Sequence, residues 1–404
     1  MTLEPRPPVA LYVHVPFCVS LCPYCDFVVY AGAAARGPRN WVGLFLDAVL
    51  VEIDLRGAAL DARFGAERPP LDTVYLGGGT PSLLPVDEIE RLLARVRGGF
   101  GIAADAEITL EANPGPDERG DPAALRRAGV TRISFGAQSL DDGELRRLGR
   151  RHRARDVEAA VAGAQEAGIA SVNLDLLYDV PDSTLATWTA SLETALSLAP
   201  DHLSLYALTL DDPEAEGLNG PTGDHLPTTS GARRWRAASR LAQDEDRAAS
   251  QYEYARVTLA QAGFRGYEIS NWARPGHESR HNLAYWHRRP HEAVGPGAHA
   301  FDGASRRWNA ARLDGYLASL SGRRPVLPPG GQEALDGTGA AAEALILGLR
   351  LDTGVPLATT EAPRAADAFR WAHAAQLTHV TDDERVVLTT RGRLLSNELF
   401  ARLV

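Results

Sequence analysis

Lysine is absent from this sequence of 404 residues: all 42 basic side chains other than histidine are arginine. Such a bias reflects genome composition before function. It still means that where function needs a cation, the chain offers a planar, permanently charged guanidinium suited to bidentate carboxylate contacts. Positive charge is also in deficit, with 42 basic against 52 acidic residues and a formal net charge of −10. Binding along a phosphate backbone needs a basic surface, so nucleic acid is not an expected partner. No apolar run approaches the ~18 residues of a membrane span, and the composition, 45% hydrophobic and 23% charged, is that of a globular chain without a transmembrane segment. The opening stretch MTLEPRPPVALYVHV lacks the basic region and small-residue cleavage site of a secretory signal, which makes a cytoplasmic location the expectation. Cysteine is scarce: the three present, Cys18, Cys22 and Cys25, lie within eight positions of one another. An odd, tightly clustered set cannot form a disulfide framework and reads as a metal site.

The length favours one large unit followed by a smaller one, with residues 1–225 as the first and 226–404 as an accessory second. From residue 9 to 210, short β-branched or apolar runs alternate with longer amphipathic stretches, the signature of βα units on a parallel sheet. Strands are expected over 10–15, 73–77, 107–111, 132–136, 171–178 and 202–208, and helices over 41–60, 86–96, 155–167 and 183–198, where apolar residues recur three and four apart. Six such units predict an α/β fold, an incomplete (β/α)6 barrel. Ligands of parallel α/β sheets sit beyond the carboxyl ends of the strands. The Cys loop, residues 77–81, residues 111–114, Gln138 and Asp175 all fall there. Residues 211–231 read as an exposed loop able to cover the barrel mouth, and 233–262 as one long helix. Residues 266–303 read as irregular and carry His277, His281, His287, His291 and His299. A Pro/Gly-rich linker at 323–339, a helix near Ala341, a strand at 386–390 and a last helix at 391–403 complete a smaller α+β C-terminal domain that ends in a helical or winged module.

The spacing Cys18-x3-Cys22-x2-Cys25 puts three thiolates on a compact turn, enough to hold a 4Fe-4S cluster by three irons and leave the fourth open to substrate. Zinc would call for a fourth ligand, and the nearest candidate, His14, sits inside a predicted strand. Three buried cysteines without metal are the remaining alternative. PFCVSLCPYC after LYVHV resembles the cluster loop of radical S-adenosyl-L-methionine (SAM) proteins. In that family the open iron chelates the amino and carboxylate groups of SAM, and an electron from the cluster cleaves it to a 5′-deoxyadenosyl radical. The resemblance spans almost the whole chain and leads to the oxygen-independent coproporphyrinogen oxidases and their haem-chaperone relatives. It implies that Tyr12 and Tyr24 line the SAM pocket, and that Gly78, Gly79 and Thr80 of GGGTP approach its methionine end through backbone that a Cβ would block. It further implies SAM contacts for Glu111 in EANP, Gln138 in SFGAQS, Arg150 in LGRRH and Asp175 in NLDLLYDVP, residue types that can accept from an amine or ribose hydroxyls or clamp a carboxylate. The plain alternative for Arg150 is one more charge on the solvated face of 144–151. No catalytic residue follows from the sequence.

Two features separate the branches. The oxidases of this family carry a further cysteine two positions after the last ligand, where this chain has Phe27 after Asp26. YEISNWA from Tyr267 and HNLAYW from His281 resemble the haem-chaperone branch, whose H-N-x-x-Y-W motif is associated with haem. His281 could supply an axial imidazole, with Tyr285 and Trp286 offering flat apolar faces to the macrocycle. Alternatively Tyr285 and Trp286 are core and His281 is hydrogen-bonded among them. His299, after a Gly-Pro-Gly turn, reads equally as ligand or turn residue, and the remaining histidines of the segment read as surface. The resemblance therefore implies a haem chaperone that binds a 4Fe-4S cluster, SAM and haem, receives electrons from a donor and hands haem to an acceptor protein the sequence does not identify. The alternative it implies is radical oxidative decarboxylation of coproporphyrinogen.

Overall fold

Period-two alternation decides how the first half of the chain folds. In the computed structural model, which describes residues 3–37, 40–210, 218 and 220–404, six strands lie parallel and in chain order. They are β1 (Ala10–Val15), β2 (Leu71–Gly78), β3 (Ile102–Ala112), β4 (Arg132–Gln138), β5 (Ser171–Tyr178) and β6 (His202–Ala207). Between them run α1 (Val42–Phe64), α2 (Val86–Phe100), α3 (Pro122–Ala128), α4 (Ala154–Glu166) and α5 (Leu185–Ser197). This is the incomplete (β/α)6 barrel expected from the sequence. Leu11, Val13, Val74, Leu76, Ile108, Leu110, Ile133, Phe135, Val172, Leu174, Leu203 and Leu205 form one core with Phe45, Ile53, Leu92, Val161 and Leu192 of the helices. Each such side chain contributes about 1.5–3 kcal/mol when buried. The alternate positions point to the other face, and they are polar: Tyr12, Tyr75, Thr109, Glu111, Ser134, Asn173, Asp175 and Ser204. Parallel strands covered on both sides usually read as continuous apolar runs. Here the alternation survives because the barrel interior has to be a polar cavity.

The sheet extends past the six strands at both edges, to twelve in all. β7 (Asn271–Ala273) runs antiparallel to β6, with Arg265–Gly266 beyond it. On the opposite side β8 (His291–Val294) pairs parallel with β1, setting Ala293 opposite Tyr12. Antiparallel strands β9 (His299–Phe301), β10 (Ser305–Asn309) and β11 (Gly330–Ala334) follow. The segment read as irregular is thus three strands and a short helix, Arg280–Trp286.

A buried carboxylate ties this extension to α1. Glu52 is fully buried; its Oε1 accepts from the Arg56 guanidinium (3.1 Å) and Asn309 Nδ2 (2.8 Å), and its Oε2 from the Gly295 N–H (2.9 Å) and the Tyr316 hydroxyl (2.7 Å).

The expected long helix over 233–262 is two helices, α6 (Ser230–Arg240) and α7 (Glu245–Gln261). Asp244 ends the first run by capping the second: its side chain accepts from Arg247 N. Asp179 fixes the corner, accepting from the Asp244 N–H (3.3 Å) and the Arg247 guanidinium. The last helix is likewise two short ones, Thr390–Leu394 and Ser396–Phe400. The second of these shares a second core with Leu349, Val355, Phe369, Leu377 and Val386, beside a three-stranded antiparallel sheet of Val355–Pro356, Thr378–Val380 and Arg385–Leu388, while Leu394 of the first packs against the barrel core. Of the loop expected at 211–231, residues 211–217 and 219 lie outside the described residues, and its last two residues already belong to α6.

Candidate functional site

The carboxyl ends of the barrel strands open on a cavity of about 400 Å³. Ten of the sequence-derived candidates line it: Cys18, Cys22, Tyr24, Cys25, Gly78, Gly79, Glu111, Gln138, Arg150 and Asp175. The Cys loop leaves β1 and is pinched at its base by a short parallel ladder between Phe17–Cys18 and Tyr30–Ala31. GGGTP is laced to the same loop, Gly79 N–H donating to Val15 O (2.9 Å) and Thr80 N–H to Phe17 O (2.7 Å). This accounts for the glycines differently from the sequence expectation. A Cβ on Gly78, whose φ is +104°, would lie 2.3 Å from the His14 ring, and one on Gly79 would lie 2.6 Å from Phe17 O. The missing side chains let β2 close on β1, in addition to exposing backbone to the cavity.

All three thiols are free and partly buried. Burial pushes Cys18 up to about 11 and Cys25 up to about 12, so they would become thiolates only on coordination to a cationic metal. Among the described residues no three His, Cys, Asp or Glu side chains gather closely enough for one metal ion. The three thiols line one cavity wall, and a set of three suits a cluster that leaves one iron open, whereas zinc calls for a fourth ligand. His14, the zinc alternative, is buried on β1 with both ring nitrogens engaged, Nδ1 by the Tyr12 hydroxyl (3.0 Å) and Nε2 by Val28 O (2.8 Å).

A polar network reaches two of the sulfurs. The Thr80 hydroxyl lies 3.2 Å from Cys18 Sγ and accepts from Asn113 Nδ2 (3.0 Å), which also donates to Glu118 (2.7 Å). Arg150 donates to the Asn113 carbonyl, to Gly136 O (2.7 Å) and to Cys22 Sγ (3.4 Å), and its enclosed Nε has no partner among the described residues. Arg150 is therefore a cation held against the cluster loop and not part of a solvated face. Gln138 sits at a bulge in β4 with φ +66°, a left-handed conformation that a non-glycine residue adopts at a cost of about 1–3 kcal/mol.

Deeper in, Glu111 accepts from the Tyr75 hydroxyl (2.7 Å) and the Gly78 N–H (2.9 Å). Burial, with a smaller push from Asp175, raises its carboxyl to about 7. Asp175 accepts from the Ser134 hydroxyl (3.0 Å) and Asn173 Nδ2 (2.8 Å) and is also raised by burial. Asn113, Ser134 and Tyr75 were not singled out in the sequence. Asn113 lies in the same EANP motif as Glu111, and strand alternation puts Tyr75 on the inner face.

Tyr12 does not line this cavity. It borders a second one, of about 560 Å³, between β1, β2 and the strands beyond residue 290. Tyr75 and Glu111 line both cavities and so form a shared wall. His281 and Tyr285 reach the second cavity, but His281 is buried with both nitrogens committed, Nδ1 to the Thr73 hydroxyl (2.7 Å) and Nε2 to the Tyr285 hydroxyl (2.8 Å). Burial lowers its imidazole to about 3. Trp286 lines neither cavity: its ring lies under the Arg350 guanidinium, 4.5 Å from centroid to Cζ. His299 also borders the second cavity, its Nε2 2.8 Å from Asp224 Oδ2 and its ring stacked on Trp308. His291, read from the sequence as surface, opens β8 and lines the cavity with its ring edge-on to Tyr285 at 4.6 Å.

Residues 12–190 match the model of the Radical SAM superfamily. A heme chaperone HemW from Mycobacterium tuberculosis (strain ATCC 25618 / H37Rv) is 38% identical over 406 residues, spanning 100% of this chain and 97% of that protein. The heme chaperone HemW of Synechocystis sp. is 36% identical over 86% of this chain and 79% of its own length. Among solved structures, coproporphyrinogen III oxidase (HemN) from Escherichia coli, a radical SAM enzyme, superposes with a TM-score of 0.79 at 24% identity over 99% of this chain and 91% of that one, a likeness of fold.

Proposed function

This chain belongs to the radical SAM superfamily, in the branch of the HemW heme chaperones, and from that membership we propose that it is a haem chaperone with two adjoining ligand sites. In this reading Cys18, Cys22 and Cys25 hold a 4Fe-4S cluster, which supplies one-electron chemistry when bound. Tyr24, Gly78, Gly79, Glu111, Gln138, Arg150 and Asp175 hold SAM beside it, while Thr80, expected there as well, is buried behind the wall with its hydroxyl against Cys18. Arg150 keeps a fixed positive charge against the cluster loop, available to a carboxylate. Glu111 and Asp175 accept from amine or hydroxyl groups, and the inner strand faces keep both carboxyls out of bulk water. The second cavity takes haem, with residues beyond 225 acting as the accessory domain that completes its wall. Tyr12 and Tyr285 would contact the ligand there, while Trp286 supports the helix behind. Haem then passes to an acceptor protein, with a separate electron donor serving the cluster. We place this work in the cytoplasm; none of the described helices is long and apolar enough to cross a membrane.

The observation that carries the reading is the shared wall. Tyr75 and Glu111 face both cavities, so a ligand in one borders a ligand in the other. Where the oxidases have a further cysteine, Phe27 lines both cavities as well. The test is anaerobic reconstitution with iron and sulfide, followed by titration with haem. Saturable uptake of about one haem per chain is expected. A reconstituted cluster without haem affinity, together with carbon dioxide release from coproporphyrinogen in the presence of SAM and reductant, would assign the chain to porphyrinogen oxidation instead.

Glu111 provides a second check. With its carboxyl raised to about 7, about half of it is protonated at pH 7, and the sulfonium cation of an arriving SAM favours the carboxylate. SAM binding at pH 7 should therefore release up to about half a proton from Glu111, more at pH 6 and little at pH 9, in addition to what the amine loses on chelation, read as a dependence of calorimetric binding heat on buffer ionisation enthalpy. Glu111→Gln should remove the Glu111 share of that dependence and leave the amine's. Identical buffer dependence in wild type and variant would take Glu111 out of the SAM site.

A further inference from the structure

The motif histidine is poorly placed to meet a metal. His281 gives both nitrogens to hydroxyls, the buried one of Thr73 and that of Tyr285 at the cavity wall, and freeing Nδ1 strands the Thr73 hydroxyl away from water. His14 is similarly committed. His299 holds Asp224 and is half exposed at the rim. His291 differs. Its Nδ1 lies 3.3 Å from Arg289 O, a carbonyl that can only accept, so the proton sits on Nδ1 and the lone pair on Nε2. Among the described residues Nε2 has no hydrogen-bond partner, and the ring lines the second cavity. A backbone carbonyl on Nδ1 with Nε2 open is the usual arrangement of a metal-binding imidazole.

A chain of contacts connects the motif to this ring. Thr73 on β2 holds His281, His281 holds the Tyr285 hydroxyl, and the Tyr285 ring meets His291 edge-on at 4.6 Å between centroids. Resting on the haem-chaperone reading, we propose that His291 supplies the axial nitrogen to a ferric or ferrous porphyrin in the second cavity, and that His281 is a positioning residue acting through Tyr285. The H-N-x-x-Y-W sequence then orients the ligand from behind, as outer-shell groups do in metal sites.

Full-length, cluster-reconstituted protein is titrated with ferric haem as wild type, His291→Ala, His281→Ala, His281→Gln and His299→Ala, and the affinity and absorbance spectrum are read for each. His291→Ala should bind on the order of a hundredfold more weakly, lose the imidazole-ligated spectrum and regain it with free imidazole. His281→Ala should lose roughly tenfold, the scale for an outer-shell partner, yet keep an imidazole-ligated spectrum. His281→Gln, able to span both hydroxyls, should recover most of that loss, and His299→Ala should match wild type. Wild-type spectrum and affinity in His291→Ala, or imidazole rescue in His281→Ala or His299→Ala, overturns the assignment and leaves the chaperone reading intact. No haem uptake by wild type removes both.

Discussion

Alanine at Cys18, Cys22 or Cys25 leaves the protein colourless after anaerobic reconstitution, with iron and sulfide near background and the circular dichroism of the fold retained. The cluster is lost because the cavity wall carries three thiols, and removing one leaves an iron without its cysteine ligand and open to water. The fold survives because the loop does not depend on metal to keep its path. Its base is paired as Phe17–Cys18 with Tyr30–Ala31, and Arg236 of α6 donates to Pro23 O (3.0 Å) and Cys25 O (3.0 Å). A brown variant with a full complement of iron would show that the ligands are elsewhere.

Glu52→Ala is expected to cost about 3–5 kcal/mol, the range for removing one partner of a buried charged pair, read as a fall in the urea midpoint. The substitution takes the carboxylate from Arg56, Asn309 Nδ2, the Tyr316 hydroxyl and the Gly295 N–H at once, leaving Arg56 only Asn309 Oδ1 and Asn309 Nδ2 only Gly295 O. Their partner is an α1 residue, while three of the four lie more than 240 positions away, so the loss loosens the strands beyond residue 290 from the barrel. Glu52→Gln keeps the shape and should lose less. A change below about 1 kcal/mol in Glu52→Ala would mean that water replaces the carboxylate.

Much of this was legible in the sequence where one physical rule acts alone. Six strands could be read because β-branched and apolar residues alternate with polar ones over stretches long enough to see, and the cluster loop because three cysteines in eight positions admit few uses. β8 escaped because HEAV is four residues with two polar ones at its start, and only its pairing with β1 makes it a strand. The corner at Asp244 escaped because the residues on both sides are helix formers, and the break depends on Asp179, distant in sequence. Tyr12 was assigned to the SAM pocket by resemblance. Its place opposite Ala293 on β8 turns it toward the second cavity, a fact of register that no local pattern carries. Arg150 was expected at SAM by resemblance, with a solvated face as the alternative because its neighbours in 144–151 are charged; its enclosure arises from Gly136 and Asn113 on other strands and loops. His291 had no motif at all, and the cavity it lines is assembled from residues as far apart as Tyr12 and Leu347.

The parallel pairing of β1 with β8 also has a meaning for how the protein is made. β1 and the cluster loop are made well before the strand that covers the free side of β1, which ends only at Val294. At roughly 5–20 residues per second, that partner follows about a quarter of a minute to a minute later. Through that interval the apolar run ALYVHV is an unprotected sheet edge, open to any extended peptide of the right pattern. A message truncated before residue 291 yields a product in which that edge stays open beside the three thiols.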